Sequence, residues 1–150
     1  MRDRPLPTDE SSFYRRLAEL TMSSIFWERL ELKTDSGYPD TSFVLRNSAE
    51  VCEGTVELKY QRTATDVPNL HQLMKPTQKA NFFDYQAGGG RKRYLLSCNP
   101  KGVVSCYSTN SVVRALLNKT KHQVSPDLTM NLDPDSEWAI HKLLPIFLGE

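Results

Sequence analysis

A chain of 150 residues, 39% apolar and 25% charged, has the size and composition of one globular domain with a single core, which excludes two independent domains and a disordered or fibrous chain. No apolar run approaches the roughly 18 residues that suggest a membrane span, and the opening MRDRPLPTDE lacks the apolar stretch of a secretory signal, so no membrane partner is expected and the cytoplasm is the simplest location. The net charge is only +1, yet residues 51 to 121 carry eleven basic side chains against four acidic ones, a local +7 that suits a bound polyanion and a solvated basic face equally.

Along the chain, Thr8 or Asp9 can cap a helix running to about Ser24, with Phe13, Leu17, Leu20 and Thr21 at helical spacing. Trp27 to Lys33 reads as a strand. SGYPD is a turn, because Gly37 permits unusual dihedrals and Pro39 pushes Tyr38 out of the helical region, and Asp40 then enters a second strand, TSFVLR. A turn at Asn47 to Glu50 leads to GTVELKYQ, where Val56, Leu58 and Tyr60 alternate with Glu57, Lys59 and Gln61 in the two-residue period of a half-buried strand. Glu57 and Lys59 therefore share a face. Pro76 and Gly88 bracket a helix, PTQKANFFDYQA; RKRYLLSC and VVSCY form a hairpin about the turn Asn99 to Gly102. Ser108 or Thr109 can cap a further helix to about Lys119, Thr120 to Ser136 reads as loop, and a last helix carries Trp138, Ile140, Leu143 and Leu144. This order predicts a single α/β domain over 1–150, a mixed sheet flanked by helices, with a helical C-terminal part from about 108.

Three cysteines, Cys52, Cys98 and Cys106, cannot all pair within one chain and form no CxxC, so neither zinc nor thiol redox chemistry is indicated. His71, His122 and His141 have no metal-ligand spacing, GGGRK lacks the ending of a P-loop, and there is no Gly-x-Ser-x-Gly elbow. The constellation that remains is acidic. Cleaving a phosphodiester near neutral pH needs a good nucleophile and neutralisation of charge on the phosphate, and a hard divalent cation held by carboxylates supplies both. Asp40 and Glu57 converge on one ion if their strands are neighbours, the carbonyl of Leu58 lies between the two motif positions as a third ligand, and Lys59 can stabilise the attacking water and the transition-state charge.

A lone Glu-x-Lys arises by chance in about one chain of this size. Here the triplet lies in a credible strand and follows a Gly-x-Pro-Asp turn that opens another. SGYPD followed by GTVELKYQ resembles the signature of the PD-(D/E)xK nuclease superfamily, and more narrowly its Holliday-junction resolvase and VRR-NUC branches, over roughly residues 10 to 96. The resemblance implies a restriction-endonuclease-like α/β fold and a Mg²⁺-dependent endodeoxyribonuclease, with Mn²⁺ as a substitute ion. Branched DNA is then the best single substrate, a homodimer makes paired cuts, and the location is the host cytoplasm if the gene is carried by a phage.

The resemblance also implies an acidic residue on the first helix. Glu10 lies on the side of Phe13 and Leu17 at 100° per residue, whereas Glu19 points away from Leu17, so Glu10 is favoured over Glu19, with Glu28 and Glu31 in reserve. An acidic first turn also serves the helix dipole. Gln78 is implied as a contact to a water in the metal site or to a DNA phosphate, and Lys79, Arg91 and Arg93 are candidate phosphate contacts, although ordinary surface solubility accounts for them equally. The competing readings are a repair- or restriction-type nuclease acting on ordinary duplex or single strands, and a non-catalytic DNA-binding module that keeps the fold.

Overall fold

The computed structural model describes residues 5–21, 24–29, 39–45, 52–65, 67–118, 124–132, 143 and 145–147. Among the described residues these elements follow one another: α1 (Glu10–Thr21), β1 (Ile25–Arg29), β2 (Thr41–Leu45), β3 (Glu53–Tyr60), α2 (Leu70–Leu73), α3 (Pro76–Ala87), β4 (Arg93–Cys98), β5 (Val103–Tyr107), α4 (Thr109–Leu117) and β6 (Leu128–Asn131). The six strands form one sheet in sequence order, antiparallel throughout except for the parallel pair β3–β4, whose crossover carries α2 and α3. This is the mixed α/β class expected, with helices on both faces of the sheet.

Alternation along the central strands sorts their side chains between two cores. Val56, Leu58, Tyr94, Leu96, Cys98, Val104 and Cys106 join Phe13 and Leu17 of α1 on one face, and Leu143 and Phe147 pack there as well. Leu95 and Tyr107 point the other way, to Leu70 of α2, Phe82 of α3 and Val112 and Leu116 of α4. The C-terminal segment is held by polar contacts too: the Phe147 carbonyl accepts from Lys92 Nζ at 2.7 Å, and the Ile146 carbonyl from the Tyr94 hydroxyl at 3.1 Å.

The local signals act as expected at several joints. Asp9 caps α1, its Oδ1 accepting from Ser12 N at 2.7 Å. Asn99 closes the β4–β5 turn by accepting from the backbone of Lys101 and Val103, while Gly102 supplies a φ of 81°. Ser108 caps α4, and Asp127 accepts from Ser108 N at 2.7 Å, which ties the start of α4 to the segment leading into β6.

Two differences have physical causes. Part of the stretch expected as loop after residue 120 is the edge strand β6: four residues of which only Met130 is buried leave too short a pattern to read without its partner β5. The single turn α2 has no signature in the sequence pattern, because it rests on an Asn69 cap and on Leu70 filling the second core, not on a repeat. The turns at 36–38 and 47–50, Glu31, and Trp138, Ile140 and Leu144 lie outside the described residues. Among the described residues no helix is long and apolar enough to cross a membrane.

Candidate active site

The pairing of β2 with β3 is what creates the site. Its register runs from Val44↔Glu53 to Thr41↔Val56 and stops there, because β2 begins at Thr41. From Glu57 to Tyr60, β3 is therefore paired among the described residues on one side only, to β4. The bond from Leu45 N to the Cys52 carbonyl aims the backbone polar groups of even-numbered residues at β2, and Thr55 N and Gln61 N donate towards β4. Alternation thus directs the Leu58 carbonyl to the vacated side, where the extended register sets Pro39, a residue with no N–H to offer. The backbone oxygen proposed as a ligand points to the edge at which Asp40 stands.

Through this gap three elements contribute a carboxylate each. Glu10 begins α1, Asp40 immediately precedes β2 and Glu57 lies in the middle of β3; one carboxylate oxygen from each lies within 4.8 Å of the others. Glu57 is 3% exposed. Its face is the one opposite Val56 and Leu58, and Lys59, two residues on, brings Nζ to 4.0 Å from Glu57 Oε2. Asp40 is oriented by two partners: Arg29 Nη2 donates to its Oδ2 at 2.9 Å, and the Thr41 hydroxyl donates to its Oδ1 at 3.1 Å. Arg29 in turn lies over the Tyr14 ring of α1 at 5.0 Å, bridging β1 and α1.

Burial makes this arrangement costly. Desolvation, reinforced by the charges of Asp40 and Glu10 and opposed by Lys59, pushes the Glu57 carboxyl up to about 8. Glu10 is raised for the same first reason, with Asp40 adding to it and Lys59, Arg29 and Lys75 opposing. A small group of oxygen donors is the donor set that a hard divalent cation takes: oxygens 2.0–2.6 Å from one ion stand at most about 5 Å apart. The carboxylates of Glu10, Asp40 and Glu57 fit such an ion.

Of the residues expected from the sequence, Glu10, Asp40, Glu57 and Lys59 come together. Glu19 is exposed and borders a different pocket with Arg15 and Arg16, and Glu28 is exposed on β1. Gln78 acts first on its own helix, its Oε1 accepting from Lys75 N at 2.9 Å, a bond that fixes the start of α3. Arg91 is exposed, its Nη1 donating to the Gly90 carbonyl at 3.3 Å, and Lys79 is half-buried on α3. For Arg93 the phosphate contact is corrected. It is 6% exposed, donates to Thr55 Oγ1 at 3.0 Å and to Asn81 Oδ1, and stacks on Tyr85 at 4.0 Å, because a strand-initial position in the middle of the sheet is covered by α3.

Sequence reasoning missed Arg29 and Lys75. No motif marks either; Arg29 is recognisable only once the register Arg29↔Thr41 sets it beside Asp40. Cys98 and Cys106 are buried, and burial pushes the Cys98 thiol up to about 12, far from an activated nucleophile. No protein-family model matches the chain, and no curated protein matches it.

Proposed function

We propose that this protein is a Mg²⁺-dependent endodeoxyribonuclease of the PD-(D/E)xK type. The observation that carries the reading is the convergence of Glu10, Asp40 and Glu57 within 4.8 Å beside Lys59. Three carboxylates from three elements, one of them buried, weaken the fold in the absence of a cation and are the expected sacrifice of a functional site.

The residues divide the work. Glu10, Asp40 and Glu57, with the Leu58 carbonyl as a further oxygen donor, would hold the ion, which would lower the cost of generating a nucleophile from water and of charging the phosphate. Arg29 and Thr41 fix the rotamer of Asp40 so that its oxygens are presented without reorganisation. The Lys59 ammonium, anchored on the rigid middle of the sheet next to Glu57, orients the attacking water and stabilises negative charge on the non-bridging oxygens as the new P–O bond forms and the old one breaks. Gln78 acts through the start of α3, whose Lys75 faces Glu10 electrostatically.

DNA is the proposed partner, and the resemblance to junction resolvases makes a four-way junction the first substrate to examine. Paired incisions call for a symmetric homodimer; a species that sediments as a monomer both free and on junction DNA would remove that part. The decisive test is cleavage of a labelled four-way junction, linear duplex and single-stranded DNA, with Mg²⁺ or EDTA, by wild type, Asp40→Ala and Lys59→Ala. Metal-dependent cutting that falls by about 10²-fold or more in both variants is the expected result. Full activity of Asp40→Ala would sink the assignment.

A further inference from the structure

A second feature adjoins the carboxylates. Glu10 and Lys59 also line an open pocket of about 730 Å³, together with Tyr60 at the end of β3, Arg62 just beyond it and Gln72 of α2. A pocket of this size takes a ligand on the scale of one nucleotide. A base inside an intact duplex is stacked and paired and cannot enter it, whereas an unpaired base can.

The lining suits such a guest. Tyr60, where β3 ends, packs in part against the core and is half-exposed, and it is the one aromatic side chain among the described residues of the lining, the group available there for a base to stack on. Arg62 is exposed beyond it, with a guanidinium suited to phosphate oxygens. Gln72, also exposed, carries both donor and acceptor for a base edge. Asp9, on the wall formed by the start of α1, disfavours phosphate there, so the backbone of the guest is directed to the Arg62 side.

We infer that this pocket is a subsite for one unpaired nucleotide beside the bond to be cut, which makes the substrate class DNA with unpaired nucleotides at a branch, bulge or gap. This rests on the nuclease reading, and it assigns Tyr60, Arg62 and Gln72 as specificity-determining residues.

Two measurements separate the two ideas. In EDTA, binding of a fluorescein-labelled oligothymidylate and of a paired duplex of equal length is compared for wild type, Tyr60→Leu, Tyr60→Phe and the double variant of the two exposed residues, Arg62→Gln with Gln72→Ala. Tyr60→Leu weakens oligothymidylate binding about 5- to 150-fold, the range for one base stacked on an aromatic ring, with duplex binding within about twofold and Tyr60→Phe close to wild type. The exposed double variant, which does not disturb the core, also loses the preference for the single strand. With Mg²⁺, wild type cuts a bulged duplex faster than its paired counterpart, and the double variant does not discriminate. Variants that bind the single strand as wild type does, or lose both ligands equally, overturn the subsite, and cutting that persists leaves the nuclease reading standing. A wild type that binds oligothymidylate through Tyr60 but cuts nothing keeps the subsite and overturns the nuclease.

Discussion

Replacing Glu57 by Gln keeps the volume of the side chain and deletes its charge, which isolates the electrostatic cost of the cluster. In the unfolded chain Glu57 ionises near 4.5, and in the folded protein near 8, chiefly because burial disfavours the carboxylate. Between those values the unfolded state has released a proton that the folded state retains. The contribution of Glu57 to the stability of the metal-free protein is therefore most favourable below about 4.5, falls as pH rises to about 8 and levels off above. At 1.36 kcal/mol per pH unit the interval corresponds to on the order of 5 kcal/mol, which for a chain of this size is roughly 10–20 °C in Tm. Glu57 is 3% exposed, so solvent does little to screen this cost. Glu10 titrates in the same direction and leaves Glu57→Gln a residual, shallower slope.

The assay is thermal unfolding in EDTA across that pH range, repeated with Mg²⁺. Glu57→Gln is expected to be more stable than wild type near pH 8 and equal to it only below about 4.5. Added Mg²⁺ should narrow the gap, since an ion at 100 times its Kd adds about 2.7 kcal/mol to a protein that binds it only when folded, roughly half of the difference. Parallel pH slopes for the two proteins in EDTA would refute the reasoning, because they would mean that Glu57 carries no buried charge to remove.

Arg93→Ala leaves Thr55 and Asn81 without their donor and Tyr85 without its cation, and should cost about 2–4 kcal/mol in a denaturant titration; the folded variant should retain the salt dependence of DNA binding, which a lost phosphate contact would reduce. Phe147→Ala removes a fully buried ring stacked on Phe43 at 4.1 Å and packed beside Tyr94 at 4.8 Å, and should cost about 3–5 kcal/mol by the same measurement. A loss below about 1 kcal/mol would mean that the C-terminal segment is not docked on the sheet as described.

Local chemistry wrote much of this protein legibly into its sequence. The cap at Asp9, the turn at Asn99 to Gly102, the Pro76 start of α3 and the alternation through Val56, Glu57, Leu58 and Lys59 are short-range signals, and the elements that depend on them were predictable to within a few residues. The choice of Glu10 over Glu19 was also local, since helical periodicity alone turns one towards the core. Only tertiary structure could decide the rest. Arg29 orients Asp40 because β1 pairs with β2, Arg93 is buried because α3 folds over β4, and the Leu58 carbonyl faces an unpaired side of β3 because β2 stops two residues short of it. Each depends on a partner distant in the chain, and the identity of a residue carries no record of which neighbour will desolvate it, satisfy its hydrogen bonds or leave one side of it open.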